Sequence, residues 1–167
     1  PVLAADLVAL RGLDRRFRFI IAGMIACVGC LGAIVWMLVS HEHANAFAGM
    51  LVVDPLTQIV KISILALTIF TILLAIYADF TDHIGEYIAL ILFAAVGMMF
   101  LVSAEDILMI FIALELTSLS LYILAAFNKR DIKSAEASLK YFLFGGMSAA
   151  FTRFGLSVVY GLSGTTN

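Results

Sequence analysis

The sequence predicts an all-α, polytopic transmembrane helix bundle, and three observations carry that expectation. Of the 167 residues, 63% are hydrophobic and only 13% are charged, against roughly 45–50% and 25% in soluble domains. A soluble domain of this length has too little interior to hide so much apolar surface. The apolar residues also gather into five stretches, each near the roughly 20 residues that a helix needs to cross a bilayer. These lie at about 19–40, 56–78, 86–103, 106–127 and 135–162. A soluble enzyme, a disordered tail and a nucleic-acid binder are thereby excluded. The net charge of -2 supplies no basic field for phosphates, and two cysteines make no disulfide framework.

Taken in order, the opening PVLAADLVAL is too short to span and reads as the tail of a helix. Residues 1–18 are accordingly expected to be the end of a truncated first helix and a basic cytoplasmic loop. The chain has no initiator Met, and it stops in a polar turn, GLSGTTN, with no terminating feature. The expectation is a fragment of a longer polytopic protein. A secretory signal is excluded, because the apolar stretches continue to the end.

Asp54-Pro55 places an N-cap before a proline at the first helical position and opens the second stretch. Ser103 with Asp106 three residues later reads as a capping box for the fourth. Cytoplasmic loops collect Lys and Arg, which sets the orientation. Arg11, Arg15, Arg16 and Arg18 precede the first stretch, and Lys129, Arg130 and Lys133 fill the turn between the last two. With both sets inside, 41–50 and the turn near Ser103 lie outside, and 79–85 lies inside. The remaining basic residues, Lys61, Lys140 and Arg153, fall within stretches.

An ionised side chain at a helix centre costs on the order of 2.5–3.5 kcal/mol on insertion scales. Glu115, in MIFIALELTSLSLYIL, sits near the middle of the fourth stretch, roughly 18 Å along the axis from the inner turn. No basic residue of its own helix stands at i±3 or i±4. Thr117, Ser118 and Ser120 follow it, small hydroxyl residues that permit close packing and host water. Its structural alternative is a protonated Glu hydrogen-bonded to a neighbouring helix. The preferred reading is a proton or ion relay, since a desolvated carboxyl near a cation switches protonation with small changes in field.

Lys140, in SAEASLKYFLFGG, has three readings: snorkelling to the inner surface, an i,i+4 pair with Glu136, or a relay member. The last two stretches are expected to run antiparallel side by side. Glu115 and Lys140 then differ in depth by roughly 8 Å, a gap left to a water or a third residue. Arg153 stands about 140° around the helix from Lys140 and is expected to snorkel outward or make a helix–helix contact. Lys61, near the outer end of its stretch, takes the same reading.

Other signals are discounted. Cys27 and Cys30 form C-x-x-C inside an apolar stretch, where redox or metal use would need an exposed thiolate and further ligands. Gly29 with Ala33, Gly145 with Ala149 and Gly146 with Ala150 have the small-xxx-small spacing of close helix packing. His41 and His43 are too few and too local for a metal site.

The stretches LELTSLSLYILAAF (114–127), SAEASLKYFLFGGMSAAF (134–151) and YGLSGTTN (160–167), with EYIALILFAAVGMMFLVSAEDIL (86–108), resemble the proton-translocating, antiporter-like membrane subunits of respiratory complex I. The N-subunit branch of bacterial NADH–quinone oxidoreductase fits in particular. The resemblance is strong over about 86–167. It implies a longer subunit of two inverted helical repeats, of which this chain is part of the first half only. It further implies that Glu115 and Lys140 lie on a proton path, with the principal lysine partner on a broken helix beyond Asn167.

No cofactor is implied in this chain. NADH, FMN, iron–sulfur clusters and quinone belong to partner subunits of the membrane and peripheral arms, the lipid bilayer is the other partner, and no nucleic acid is involved. The location implied is the bacterial inner membrane, or else the mitochondrial inner membrane. Arg153 departs from the apolar residue usual in the family. Two other functions stay open here: a subunit of a multi-component sodium/proton antiporter, and a structural membrane scaffold with Glu115 permanently protonated.

Overall fold

The structure, a computed structural model, describes residues 15–39, 44–46, 50–76 and 83–166. The expectations for Pro1–Asp14, with Arg11, for His41 and His43, and for most of the 79–85 loop lie outside the described residues. Among the described residues five helices form: α1 Arg15–Val39, α2 Pro55–Ile76, α3 Ile84–Ser103, α4 Ile107–Ala125 and α5 Ile132–Ser163. All five are long and apolar enough to cross a membrane.

α1 starts earlier than the apolar pattern implies, taking in Arg15, Arg16 and Arg18. Arginine is a good helix former, so hydropathy underestimates where the helix begins. α2 starts at Pro55 as expected, and the Thr57 hydroxyl accepts from the Asp54 N–H at 2.9 Å while donating to the Asp54 carbonyl at 2.8 Å.

The capping box expected at Ser103 is corrected. Ser103 is the last residue of α3, and Asp106 is itself the N-cap of α4. Its Oδ1 accepts from the Leu108 and Met109 N–H groups at 2.8 and 3.3 Å. Both residues suit an N-cap, and the tight turn leaves room for one boundary only.

α3 is the hub, packing against α1, α2 and, most extensively, α4. The core lies toward one end of the bundle. Phe19, Ala22 and Ala26 of α1, Ile72 and Ala75 of α2, and Ile84, Ile88 and Ile91 of α3 close together there. Their i, i+3 and i+4 spacings each put one helical face inward. The α3–α4 contact is tighter still. A Cβ built on Gly97 would lie 2.8 Å from the Thr117 amide nitrogen and 3.1 Å from the Ala113 carbonyl oxygen, so only glycine permits this approach.

Gly29 and Gly146, expected to mediate close packing, face open space among the described residues. Cys30 is buried, and both cysteines are free thiols.

A short antiparallel hairpin, β1 Ala44–Ala46 with β2 Leu51–Val53, pairs Ala44 with Val53 and Ala46 with Leu51. It covers the other end of the bundle, where Leu51 bridges to Ala104 and the Glu105 N–H donates to the Met50 carbonyl at 3.0 Å. α5 packs against α4 and buries none of its own residues.

Candidate functional site

The site forms where α5 crosses α4, and both helices are pinned beside it. At one end, the Asp131 side chain accepts from the Lys133 N–H at 3.0 Å, capping α5, and the Ser134 hydroxyl donates to the Ala125 carbonyl at 2.6 Å. At the other, Gly164 terminates α5 in the left-handed conformation (φ 71°), and its N–H donates to the Tyr160 carbonyl at 2.8 Å. A side chain is strained at that φ.

The reversal brings Thr166 back to the start of α4. Its carbonyl accepts from the Ile107 N–H at 2.8 Å, and its side chain hydrogen-bonds the Asp106 carboxylate. That bond, with the Leu108 and Met109 amides, holds the Asp106 carboxyl below its usual range against an upward push from burial.

Between these ties, Glu115 points at α5. Arg153 Nη2 donates to Glu115 Oε1 at 2.6 Å. The Glu115 side chain is 26% exposed and that of Arg153 is 52% exposed. The guanidinium also lies over the Phe111 ring, 4.8 Å from its centroid, a favourable cation–π placement. Of the two readings for Arg153, the helix–helix contact is the one seen here.

Lys140 is not brought to Glu115. Its ammonium sits 2.5 Å from Glu136 Oε1, and both side chains are well exposed. The i,i+4 pair therefore exists, and the cation at Glu115 is Arg153, which does not bridge to Lys140. Only the isolation of Glu115 within its own helix signalled that a cation had to come from elsewhere.

Glu115 lines a cavity of about 250 Å³ whose other polar walls are Ser118, Tyr122, Tyr141, Ser148 and Thr152. The Tyr122 ring stacks edge-on against Tyr141 at 4.8 Å and Phe142 at 5.8 Å. Among the neighbouring hydroxyls, Thr117 and Ser120 donate to carbonyls of their own helix, at 2.9 and 2.7 Å. Ser118 lines the cavity instead. On the far side of Phe111 lies an almost wholly apolar cavity of about 360 Å³, which Arg153 also lines. The ion pair thus stands between a polar chamber and an apolar one. Among the described residues, no group of three His, Cys, Asp or Glu side chains gathers to hold a metal.

Comparison with known proteins shows what the chain as a whole is similar to. Residues 104–167 match the family described as NADH:quinone oxidoreductase/Mrp antiporter, transmembrane. The chain is 46% identical to NADH-quinone oxidoreductase subunit N 2 of Acidobacterium capsulatum, over 98% of this chain and 35% of that protein. It is 38% identical to F(420)H(2) dehydrogenase subunit N of Methanosarcina mazei, over 88% of this chain and 32% of that protein. A chain of respiratory complex I from Thermus thermophilus, solved with bound aureothin, superposes with a TM-score of 0.73 at 29% identity. It covers 99% of this chain and 38% of its own. A chain of an archaeal membrane-bound sulfane sulfur reductase shares the fold, with a TM-score of 0.77 at 24% identity over 99% of this chain and 35% of its own.

The chain spans about a third of the length of the curated relatives it matches. As a multi-pass membrane protein it carries, over residues 104–167, the NADH:quinone oxidoreductase and Mrp antiporter transmembrane family's domain, and its similarity to subunit N proteins extends over nearly its whole length.

Proposed function

We propose that this chain is part of the proton-translocating subunit N of a bacterial inner-membrane NADH–quinone oxidoreductase. Other membrane-arm and peripheral subunits would carry NADH, FMN, iron–sulfur clusters and quinone, and this subunit moves protons with the energy they release. The names of its relatives, NADH-quinone oxidoreductase and F(420)H(2) dehydrogenase subunits, support a respiratory complex over a free-standing antiporter. They also support a subunit whose task is independent of the electron donor.

The observation that carries the reading is a single carboxylate in mid-helix, facing a polar chamber and held by one arginine. An ion pair in that setting is a two-state element. A proton reaching Glu115 neutralises it and releases Arg153. A cation approaching the chamber favours the charged form and expels the proton. The Ser118, Tyr122, Tyr141, Ser148 and Thr152 hydroxyls offer a route for protons to the carboxylate. In this reading Lys140, paired with Glu136 at the surface of α5, supplies a charge near the path rather than a wall of the chamber.

Proton pumping by the assembled complex in sealed vesicles tests this. Glu115→Gln is expected to lower pumping by at least tenfold, and Glu136→Gln by much less. Lys140→Ala is expected to slow quinone-coupled turnover while the complex still assembles. Undiminished pumping with Glu115→Gln overturns the assignment.

A further inference from the structure

At the end of the bundle opposite the α1–α3 core, a separate cavity of about 170 Å³ opens between β2, α2 and α3. Leu51, Val53, Met99 and Phe100 make it apolar, and its two polar residues are Lys61 and Ser103. Ser103 is 4% exposed, and its Oγ has no hydrogen-bond partner among the described residues. Lys61 is half-buried and takes no carboxylate or other acceptor among the described residues. Buried donors are normally satisfied, and a buried cation without a counter-ion is costlier still. Two donors without a partner among the described residues line one cavity, and an acceptor that carries negative charge matches them.

Depth and surroundings narrow its chemistry. Lys61 lies about 9 Å along α2 from Pro55, at 1.5 Å per residue, and Ser103 ends α3 on the same side. A lysine at that depth reaches headgroup level. Val96, which also lines the cavity, and Phe100 present exposed apolar surface along α3, leading from the cavity toward the middle of the helix. A ligand with a phosphate at one end and a hydrocarbon chain at the other matches this arrangement.

We propose that Lys61 and Ser103 bind the phosphodiester of an anionic phospholipid, the ammonium and hydroxyl donating to phosphate oxygens while an acyl chain lies along Val96 and Phe100. The site is distinct from the Glu115 chamber, and the inference does not depend on the proton-path reading.

The test uses the full-length subunit in its assembled complex, in nanodiscs of mixed phosphatidylglycerol and phosphatidylcholine, released into detergent for native mass spectrometry. Wild type is expected to retain one more phosphatidylglycerol than Lys61→Met, whose affinity for that lipid falls about tenfold, the scale of one charge-assisted hydrogen bond. Lys61→Arg is expected to restore retention, and Ser103→Ala to weaken it by a smaller factor. Equal retention by wild type and Lys61→Met overturns the proposal. So does displacement of the lipid by millimolar inorganic phosphate, which identifies a free-anion site, or retention of phosphatidylcholine in its place. Should Lys61→Met not assemble, the wild type's preference for phosphatidylglycerol over phosphatidylcholine, kept in Lys61→Arg, decides.

Discussion

Along α3, Ile84 and Ile88 are fully enclosed by neighbouring helices, whereas no residue of α5 is buried at all. Both helices are apolar and both run beside α4, yet they are held there by different means. α3 meets α4 at close range at Gly97, against the Thr117 hydroxyl and backbone and the Ala113 carbonyl. α5 meets it through an ion pair, ring-edge contacts between Tyr122 and Tyr141, and hydrogen bonds at each end. In a bilayer, apolar side chains gain little by exchanging lipid for protein. Tight fit then secures one interface, and a few directional contacts secure the other. Directional contacts can be made and broken singly, which suits the side of α4 that holds Glu115.

The contrast is open to attack at both interfaces. Gly97→Val is expected to be the most damaging change, because the obstacle is the α4 backbone and the helices must part. A loss of about 3 kcal/mol is the scale of such overpacking, read from the thermal midpoint of the detergent-solubilised full-length subunit. Ile88→Ala comes next, at about 2 kcal/mol. The cavity it leaves costs contacts, while the transfer contribution is small in lipid.

Gly145→Ala, at the α4–α5 interface, should cost less than about 1 kcal/mol. Its obstacle is the Tyr122 side chain rather than the α4 backbone. A Gly145→Ala loss equal to that of Gly97→Val would erase the distinction drawn here.

The smallest effect concerns pH. The Asp106 carboxyl is depressed by its Thr166 and amide hydrogen bonds, so its contribution is complete above the ordinary carboxylate value near 3.9. It is lost as pH falls through the lower folded value. Hydrogen-exchange protection at Leu108 and Met109 should therefore drop in that acid range and hold steady from about pH 5 to 8.

Much of the fold was legible because hydropathy over helix-length windows is a strong signal, and the five helices stand where five apolar stretches are written. The hairpin was not. Ala44–Ala46 and Leu51–Val53 are three residues each, too short for a period-2 pattern to rise above an ordinary loop. Asp106 was read as the partner of a cap rather than the cap, because Ser and Asp at this spacing fit either boundary.

At the site, Glu115 was legible from its isolation, and the exposed Lys140–Glu136 pair from its i,i+4 spacing. For Arg153 a helix–helix contact was legible as one of two readings, but its partner was not, because which residues of two packed helices meet depends on how they cross. The unsatisfied Ser103 hydroxyl had no signal in the sequence, since satisfaction is a property of neighbours.

The return of Thr166 to Asp106 has a mechanical consequence. A rod fastened at both extremities resists sliding and tilting as a unit, so α5 cannot carry Arg153 away from Glu115 by rigid translation while those fastenings hold. Separation of the two charges then falls to rotation about the bonds of the arginine itself, which for exposed side chains takes picoseconds to nanoseconds. A switch of that kind is fast compared with enzyme turnover, leaving the pace of proton traffic to be set elsewhere.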